Sequence, residues 1–133
     1  NTTVLLSVGG EHNRYELLGV VRKLERQKYT IYGTEHTAAF YRGFGIDVKH
    51  IYKIHERKNP NVYDFLVQKK IDLVVSVPKT FSSVERSDSA IIRRSAVEFG
   101  IPLINNIQIA KLFVDAMAQK KLADLKVKAW DEY

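Results

Sequence analysis

The alternation of short apolar runs with longer amphipathic runs is the feature that most restricts how this chain can fold. The apolar runs predicted as strands span 3–8, 29–32, 48–52, 72–77 and 103–104. The run from Asp72 to Val77 is almost entirely apolar, which is typical of a strand covered on both faces. Because strands separated by helices form βαβ units, this order predicts an α/β, Rossmann-like fold. We expect a mostly parallel five-stranded sheet in three layers, flanked by helices on both faces.

Helical spacing and capping residues set the predicted helices between these strands. They span 13–28, 33–45, 59 onward, 88–99 and 107–119. Asn13, with Glu16 three residues later, is the predicted N-cap of the first helix. The polar stretch Lys79 to Ser87 is predicted as a loop. Residues 120–133 lose the hydrophobic period, so we expect one domain over 1–119 followed by a tail or terminal helix of the same domain.

Composition excludes several classes of protein. The 133 residues contain no Cys, which excludes a disulfide scaffold, a Cys-based zinc site and a thiol nucleophile. No apolar run is long enough to span a membrane. The net charge of +6 comes from basic residues that are dispersed and mixed with acidic ones, so we expect no nucleic-acid partner. The chain begins at Asn1 without a signal segment, and we interpret it as a piece of a longer protein.

Polar residues follow the predicted strands at the edge where ligands bind to open α/β sheets. Hydroxyls, lysines and helix N-termini meet there, and this inventory suits an anion, most simply a phosphate. The residues are Ser7, Gly9, Gly10, Thr34, Thr37, Lys53, Ser76, Lys79 and Thr80. Taken alone, Thr34 is equally consistent with an ordinary N-cap, and Gly33 with an ordinary turn glycine. The four histidines have no metal-ligand spacing, so no metal site is predicted.

Several segments, in this order, resemble the methylglyoxal synthase-like domain family, most closely the C-terminal regulatory domain of carbamoyl-phosphate synthetase large chains. The segments are Leu5–Val8, Gly33–Ala38, Gly45–Ile46, Lys53–Glu56, Ile71–Val75, Ser87–Ala96 and Ile101–Ile104. The most specific parts are the Lys-Ile-His-Glu stretch from Lys53 and the Asp-Ser-x-x-Ile-Arg-Arg-Ser-Ala run from Asp88. The resemblance extends from about Val4 to Ala118.

This resemblance implies roles for individual residues. The phosphate contacts fall on Ser7, Thr34, Thr37 and Lys53, with Ser76, Lys79 and Thr80 after the fourth strand. The nucleoside would be flanked by Ile54, Ile91 and Ile92, with Asp88 accepting from a ribose hydroxyl. A lysine that the family carries in the first loop falls at about Asn13 or Arg14. The Ser76-Val77-Pro78-Lys79-Thr80 segment departs from an Asn-Thr-Thr pattern of the family, which leaves the identity of the effector open.

The implied function is a regulatory domain, not catalytic by itself, that binds UMP or an IMP-like effector. The parent enzyme would be a cytoplasmic, ATP- and Mg-dependent ligase of pyrimidine and arginine biosynthesis, whereas this domain is expected to need no cofactor. Expected partners are other domains of the large chain and a small glutaminase subunit, and a homo-oligomer stays open. The alternatives are a lyase acting on dihydroxyacetone phosphate and a structural or oligomerisation module. The two catalytic carboxylates of the lyase fall at about Asn59 and near Lys79, and so are expected to be absent here.

Overall fold

A computed structural model describes residues 2–53, 58, 61–77 and 83–119 of the chain. Within these ranges, the side chains of residues 83–89 and 117–119 are not described. The predictions for Ile54, Asn59, Lys79, Thr80 and 120–133 therefore fall outside the described residues.

The five strands form one sheet in which every neighbouring pair is parallel. They are β1 Thr3–Val8, β2 Thr30–Gly33, β3 Lys49–His50, β4 Leu73–Val77 and β5 Leu103–Ile104. Their order in the sheet is β3-β2-β1-β4-β5. The α/β prediction is confirmed, and the sheet is wholly parallel. Because every strand points the same way, all five carboxyl ends lie along one edge of the sheet.

Helices cover both faces of this sheet. They are α1 Glu11–Glu16, α2 Leu18–Arg26, α3 Glu35–Arg42, α4 Val62–Val67, α5 Ser83–Glu98 and α6 Ile107–Gln119. Alternate residues of β1 point to opposite faces. Leu6 packs with α2, α3 and α6 in one buried cluster, and Leu5 packs with α4 and α5 in the other. These two clusters make the three layers that the sequence predicts.

The first helix differs from its prediction. It begins at Glu11 instead of Asn13, because Gly10 adopts a φ of 89° that turns the chain directly out of β1. Asn13 lies inside the helix, and its side-chain amide donates to the carbonyl of Gly9 at 2.8 Å. The predicted single helix is divided at Leu17. The hydroxyl of Tyr41 donates to the Arg14 carbonyl at 2.8 Å, and so competes for the group that would accept from Leu18 in a continuous helix.

Two other boundaries differ on the opposite face. Helix α5 begins at Ser83, so the predicted loop over Lys79–Ser87 is wrong from Ser83 onward. That stretch is polar but contains neither Gly nor Pro, and polarity alone does not prevent a helix. Helix α4 begins after Asn61, which forms a reciprocal capping box with Asp64, and not at the predicted Asn59–Pro60.

The strands β2 and β3 are also displaced from their predicted bounds. Lys28 has a φ of 63°, and the Tyr29 N–H still bonds back to the carbonyl of Leu24. Strand β2 therefore starts at Thr30, one residue after its predicted start. Strand β3 pairs only at Lys49 and His50, because the chain then leaves the sheet and Tyr52 forms a bridge to Asn61.

Gly33, the last residue of β2, allows α3 to approach the sheet closely. A Cβ at this position would lie 3.0 Å from a side-chain carbon of Val48 and 3.1 Å from the backbone nitrogen of Ala38. The first turn of α3 therefore packs against β2 in space that only a glycine leaves open.

Candidate functional site

The side of the sheet on which successive strands are added changes between β1 and β4. Strands β2 and β3 are added on one side of β1, and β4 and β5 on the other. Such a switch point opens a crevice beyond the carboxyl ends of the two strands. Ser7 and Ser76 are register partners at this crevice, Ser7 half-buried and Ser76 buried. The Gly9 N–H donates to the Val77 carbonyl at 2.7 Å, which ties the turn after β1 to the end of β4.

Two buried threonines connect the start of α3 to the end of β1. Thr37 is 1% exposed, and its Oγ1 accepts from the Val8 N–H at 3.0 Å and donates to the Val8 carbonyl at 3.3 Å. The hydroxyl of Thr34 in turn donates to Thr37 Oγ1 at 3.4 Å. Thr34 stands at the N-cap of α3, but its side chain makes no capping hydrogen bond. The threonines therefore fix the first turn of α3 beside the crevice without covering that turn's own amides.

Arg14 lies at the same edge. Its Nε donates to the Val8 carbonyl at 3.1 Å, the same oxygen that accepts from Thr37. A guanidinium has five N–H donors, and the pair of terminal nitrogens can hold an anion in bidentate fashion. The backbone of Arg14 is held by the hydroxyl of Tyr41, whose pKa is raised by burial, so that the phenol stays a neutral donor.

Arg14 is one of two residues at which the family resemblance places a lysine of the first loop. The other is Asn13. Both side chains bond to the turn after β1, Asn13 to the Gly9 carbonyl and Arg14 to the Val8 carbonyl, and of the two only Arg14 carries a positive charge. The sequence signal that could have identified Arg14 is its helical spacing from the glycines. With α1 beginning at Glu11, Arg14 lies one turn from the glycine pair.

The other predicted site residues are placed as follows. Ser7 pairs with Ser76 and Thr34 bonds to Thr37, and both pairs lie at the edge formed by the carboxyl ends of the strands. Lys53 follows the end of β3 and is partly exposed, and its role stays a prediction.

The predicted nucleoside contacts lie on α5. Ile92 is buried in the cluster under α4 and α5, and Ile91 is partly buried. Asp88 belongs to α5, and its side chain is not described. The flanking roles of these residues also stay predictions.

The described residues supply donors and positive charge at this edge. Arg14 supplies a positive charge beside the end of β1, and Glu11 and Glu35, in the first turns of α1 and α3, are exposed to solvent. Among the described residues, no group of three or more His, Cys, Asp or Glu side chains could hold a metal ion. No helix in the described part of the chain combines the length and apolarity required to cross a membrane. The arrangement suits anion binding.

Comparison with known proteins shows the family to which the chain belongs. A family model for the MGS-like domain matches residues 16–105. The chain is 33% identical over 130 residues to the carbamoyl phosphate synthase large chain of Methanothrix thermoacetophila, covering 98% of this chain and 12% of that relative. It is 34% identical over 122 residues to the C-terminal section of the large chain of Methanocaldococcus jannaschii, covering 92% of this chain and 19% of that relative. The chain thus spans less than a fifth of the length of either relative.

One solved structure has the same fold. The methylglyoxal synthase of Elizabethkingia anophelis superimposes with a TM-score of 0.65 and 17% sequence identity, covering 86% of this chain and 77% of that one. At this identity, the match concerns the fold alone.

Proposed function

Because this chain belongs to the MGS-like domain family, we propose that it is a regulatory domain that binds a nucleoside monophosphate, UMP by preference. The phosphate would lie at the carboxyl ends of β1 and β2, beside the first turn of α3. The domain itself would bind the effector without converting it.

The observation that carries this proposal is the shared carbonyl of Val8. It accepts from a buried hydroxyl, Thr37, and from a guanidinium, Arg14, so both are fixed at one end of one strand. The amides of the α3 first turn lie beside them, and the Thr34 side chain leaves those amides uncapped. Backbone amides, a helix N-terminus and a guanidinium are the groups that bind phosphate best in proteins.

The nucleoside would extend from the phosphate toward α5. Lys53 would add a second cation after β3, and Ser7, Ser76, Lys79 and Thr80 would complete the polar wall. Ile54, Ile91 and Ile92 would flank the base, and Asp88 would accept from the ribose.

Regulation would follow from differential binding. The relatives are named as carbamoyl phosphate synthase large chains, and this chain would act as one domain of such a protein. An effector that binds one arrangement of the enzyme more tightly than another shifts their equilibrium by the difference in binding free energy. Other domains of the large chain, and through them a glutaminase subunit, would respond in the cytoplasm. The ATP and Mg of catalysis would belong to the rest of the enzyme.

Isothermal titration calorimetry of the chain with UMP, IMP and N-acetylglutamate tests the proposal. We expect saturable binding of UMP that Arg14→Gln weakens by about 1–3 kcal/mol, as for a lost charge-assisted hydrogen bond. The matched control is Arg26→Gln, an exposed arginine at the end of α2, which should leave binding unchanged. The absence of saturable heat with all three ligands would contradict the proposal and favour a structural module.

A separate assay addresses the lyase alternative. The purified chain is incubated with dihydroxyacetone phosphate, and methylglyoxal is measured. We expect no formation above the uncatalysed rate. Turnover that disappears in Lys53→Gln would show that the site is catalytic.

A further inference from the structure

A strongly basic surface lies on the β3 side of the domain. We call it the basic flank. Its basic residues are Lys49, His50, Lys58, Lys69 and Lys70, all exposed, and its aromatic residues are Tyr32, Tyr52 and Phe65. They come from β2, β3, the segment after β3, and α4 with the turn that follows it.

Aromatic rings hold three of the ammonium groups in place. Lys49 Nζ lies 5.9 Å from the centroid of the Tyr32 ring, and Lys70 Nζ lies 5.3 Å from that of Phe65. These two rings meet edge to face at 4.9 Å, so Lys49 and Lys70 are joined through one aromatic pair. Cation–π contacts of this kind restrict where a lysine side chain places its charge.

A second set of contacts continues from β3. The His50 ring meets Tyr52 edge to face at 4.8 Å, and Lys58 Nζ lies 5.4 Å from the Tyr52 centroid. Lys49 and His50 point to opposite faces of β3, which is the edge strand, so the two sets lie on either side of this edge of the sheet.

Carboxylates balance only part of the charge of the flank. In the described elements β3 and α4 the only acidic residue is Asp64, whose carboxylate accepts from the Asn61 N–H at 3.0 Å in the capping box. Two exposed carboxylates lie close in sequence, Asp47 two residues before Lys49 and Asp72 two residues after Lys70. The four lysines of the flank outnumber these described carboxylates.

We propose that the basic flank docks an acidic protein surface. Ammonium groups held over rings lose less conformational entropy when they meet carboxylates than freely rotating lysines do. Complementary charge also speeds association and selects the partner. The chain covers only 12% of its relative from Methanothrix, so in a protein of that length such a face has other domains to meet.

The aromatic contacts argue for protein over nucleic acid. Proteins that bind single strands stack bases on exposed ring faces. Here Tyr32 and Phe65 are engaged with each other and with the ammonium groups of Lys49 and Lys70. None of the flank residues is among the proposed effector contacts, so this proposal stands whether or not an effector binds.

The test is an NMR titration of the chain with a short poly-glutamate peptide at low and at physiological salt. We expect amide shifts confined to β3, Lys58 and the Lys69–Lys70 turn, and an affinity that falls with salt. Lys49→Gln/Lys70→Gln should weaken binding about fivefold or more. Arg26→Gln/Lys28→Asn removes the same charge from the turn between α2 and β2, outside the residues of the flank, with Asn suited to the positive φ of Lys28, and should change it by less than about twofold.

Three outcomes would overturn the proposal. Shifts could spread over the whole surface or concentrate near Arg14. The two double variants could lose equal affinity, in which case net charge alone drives binding. Finally, an oligothymidine or an anionic vesicle could bind the flank more tightly than the peptide, which would assign the surface to a different class of partner.

Discussion

Replacing Thr37 with valine tests the connection between α3 and β1. Valine has nearly the same shape as threonine, so the buried volume is retained while the hydroxyl is removed. In the parent chain the buried Val8 N–H donates to Thr37 Oγ1 at 3.0 Å. In the variant this N–H has no acceptor. The Val8 carbonyl keeps a donor, because Arg14 Nε still reaches it.

The expected magnitude follows from these partners. An orphaned buried amide costs about 1–3 kcal/mol. The Thr34 hydroxyl also loses its acceptor, but that bond is long at 3.4 Å and adds at most about 0.5 kcal/mol. We therefore expect Thr37→Val to lower the free energy of unfolding by about 1–3.5 kcal/mol. Thr37→Ser keeps the hydroxyl and loses one methyl, for which about 1 kcal/mol is expected.

Equilibrium unfolding in urea, followed by far-UV circular dichroism, measures both variants against the parent chain. The denaturant dependence should be equal in all three, so that midpoints report stability. If Thr37→Val lies within about 0.5 kcal/mol of the parent, or if Thr37→Ser is as damaging, the hydroxyl does not hold α3 to β1. The hydrogen bonds of Thr37 to Val8 would then not be what positions the first turn of α3 at the site.

Three other substitutions have defined outcomes. Gly33→Ala should destabilise the domain by about 1–3 kcal/mol, because the added Cβ overpacks the contact with α3. Gly19→Ala lies inside α2 with nothing within 4 Å of the added Cβ, and should stabilise the domain by about 0.5–1 kcal/mol. Thermal unfolding of the two variants measures both changes. Asn61→Ala removes the capping box of α4 and should cost about 1 kcal/mol in urea unfolding, and an unchanged midpoint would show that packing alone defines the helix start. The hydrogen bond from Lys111 lowers the pKa of the Glu16 carboxyl below its ordinary value of 4.5. This pair therefore stabilises the fold above pH 4.5, and the stabilisation is lost as the pH falls through the lowered pKa. Carboxyl NMR titration should show the Glu16 pKa rising toward 4.5 in Lys111→Gln, and no change would exclude the pair.

Elements with strong local signals were predicted correctly from the sequence. The buried strand β4 has the apolar run that a covered parallel strand requires, and it differs by one residue from its predicted start. Helix α6 agrees at both ends, because its apolar residues recur with a regular period. Local propensity and the final packing favour the same structure in both elements.

Boundaries set by contacts distant in sequence were not predictable in this way. Leu17 fits the apolar period of a continuous helix, and the division there accompanies a hydrogen bond from Tyr41, far along the chain. Strand β3 has an apolar pattern over 48–52, but only two residues pair. The same limit applies to the site. Sequence could select Thr34 and Thr37, but the bonds of Thr37 to Val8 depend on how the strands are placed in the sheet.

The single direction of the strands also matters for engineering the domain. All of the candidate anion groups lie at one edge, and the turns at the opposite edge are remote from them. One such turn, at Gln27–Lys28, is exposed and lies between α2 and β2. Exposed turns of this kind accept inserted domains. A fluorescent protein inserted there would leave Arg14, Thr34 and Thr37 in place, and would be joined directly to β2, the strand that leads into α3. A ligand that displaced α3 would thus change the optical signal through a strand of four residues.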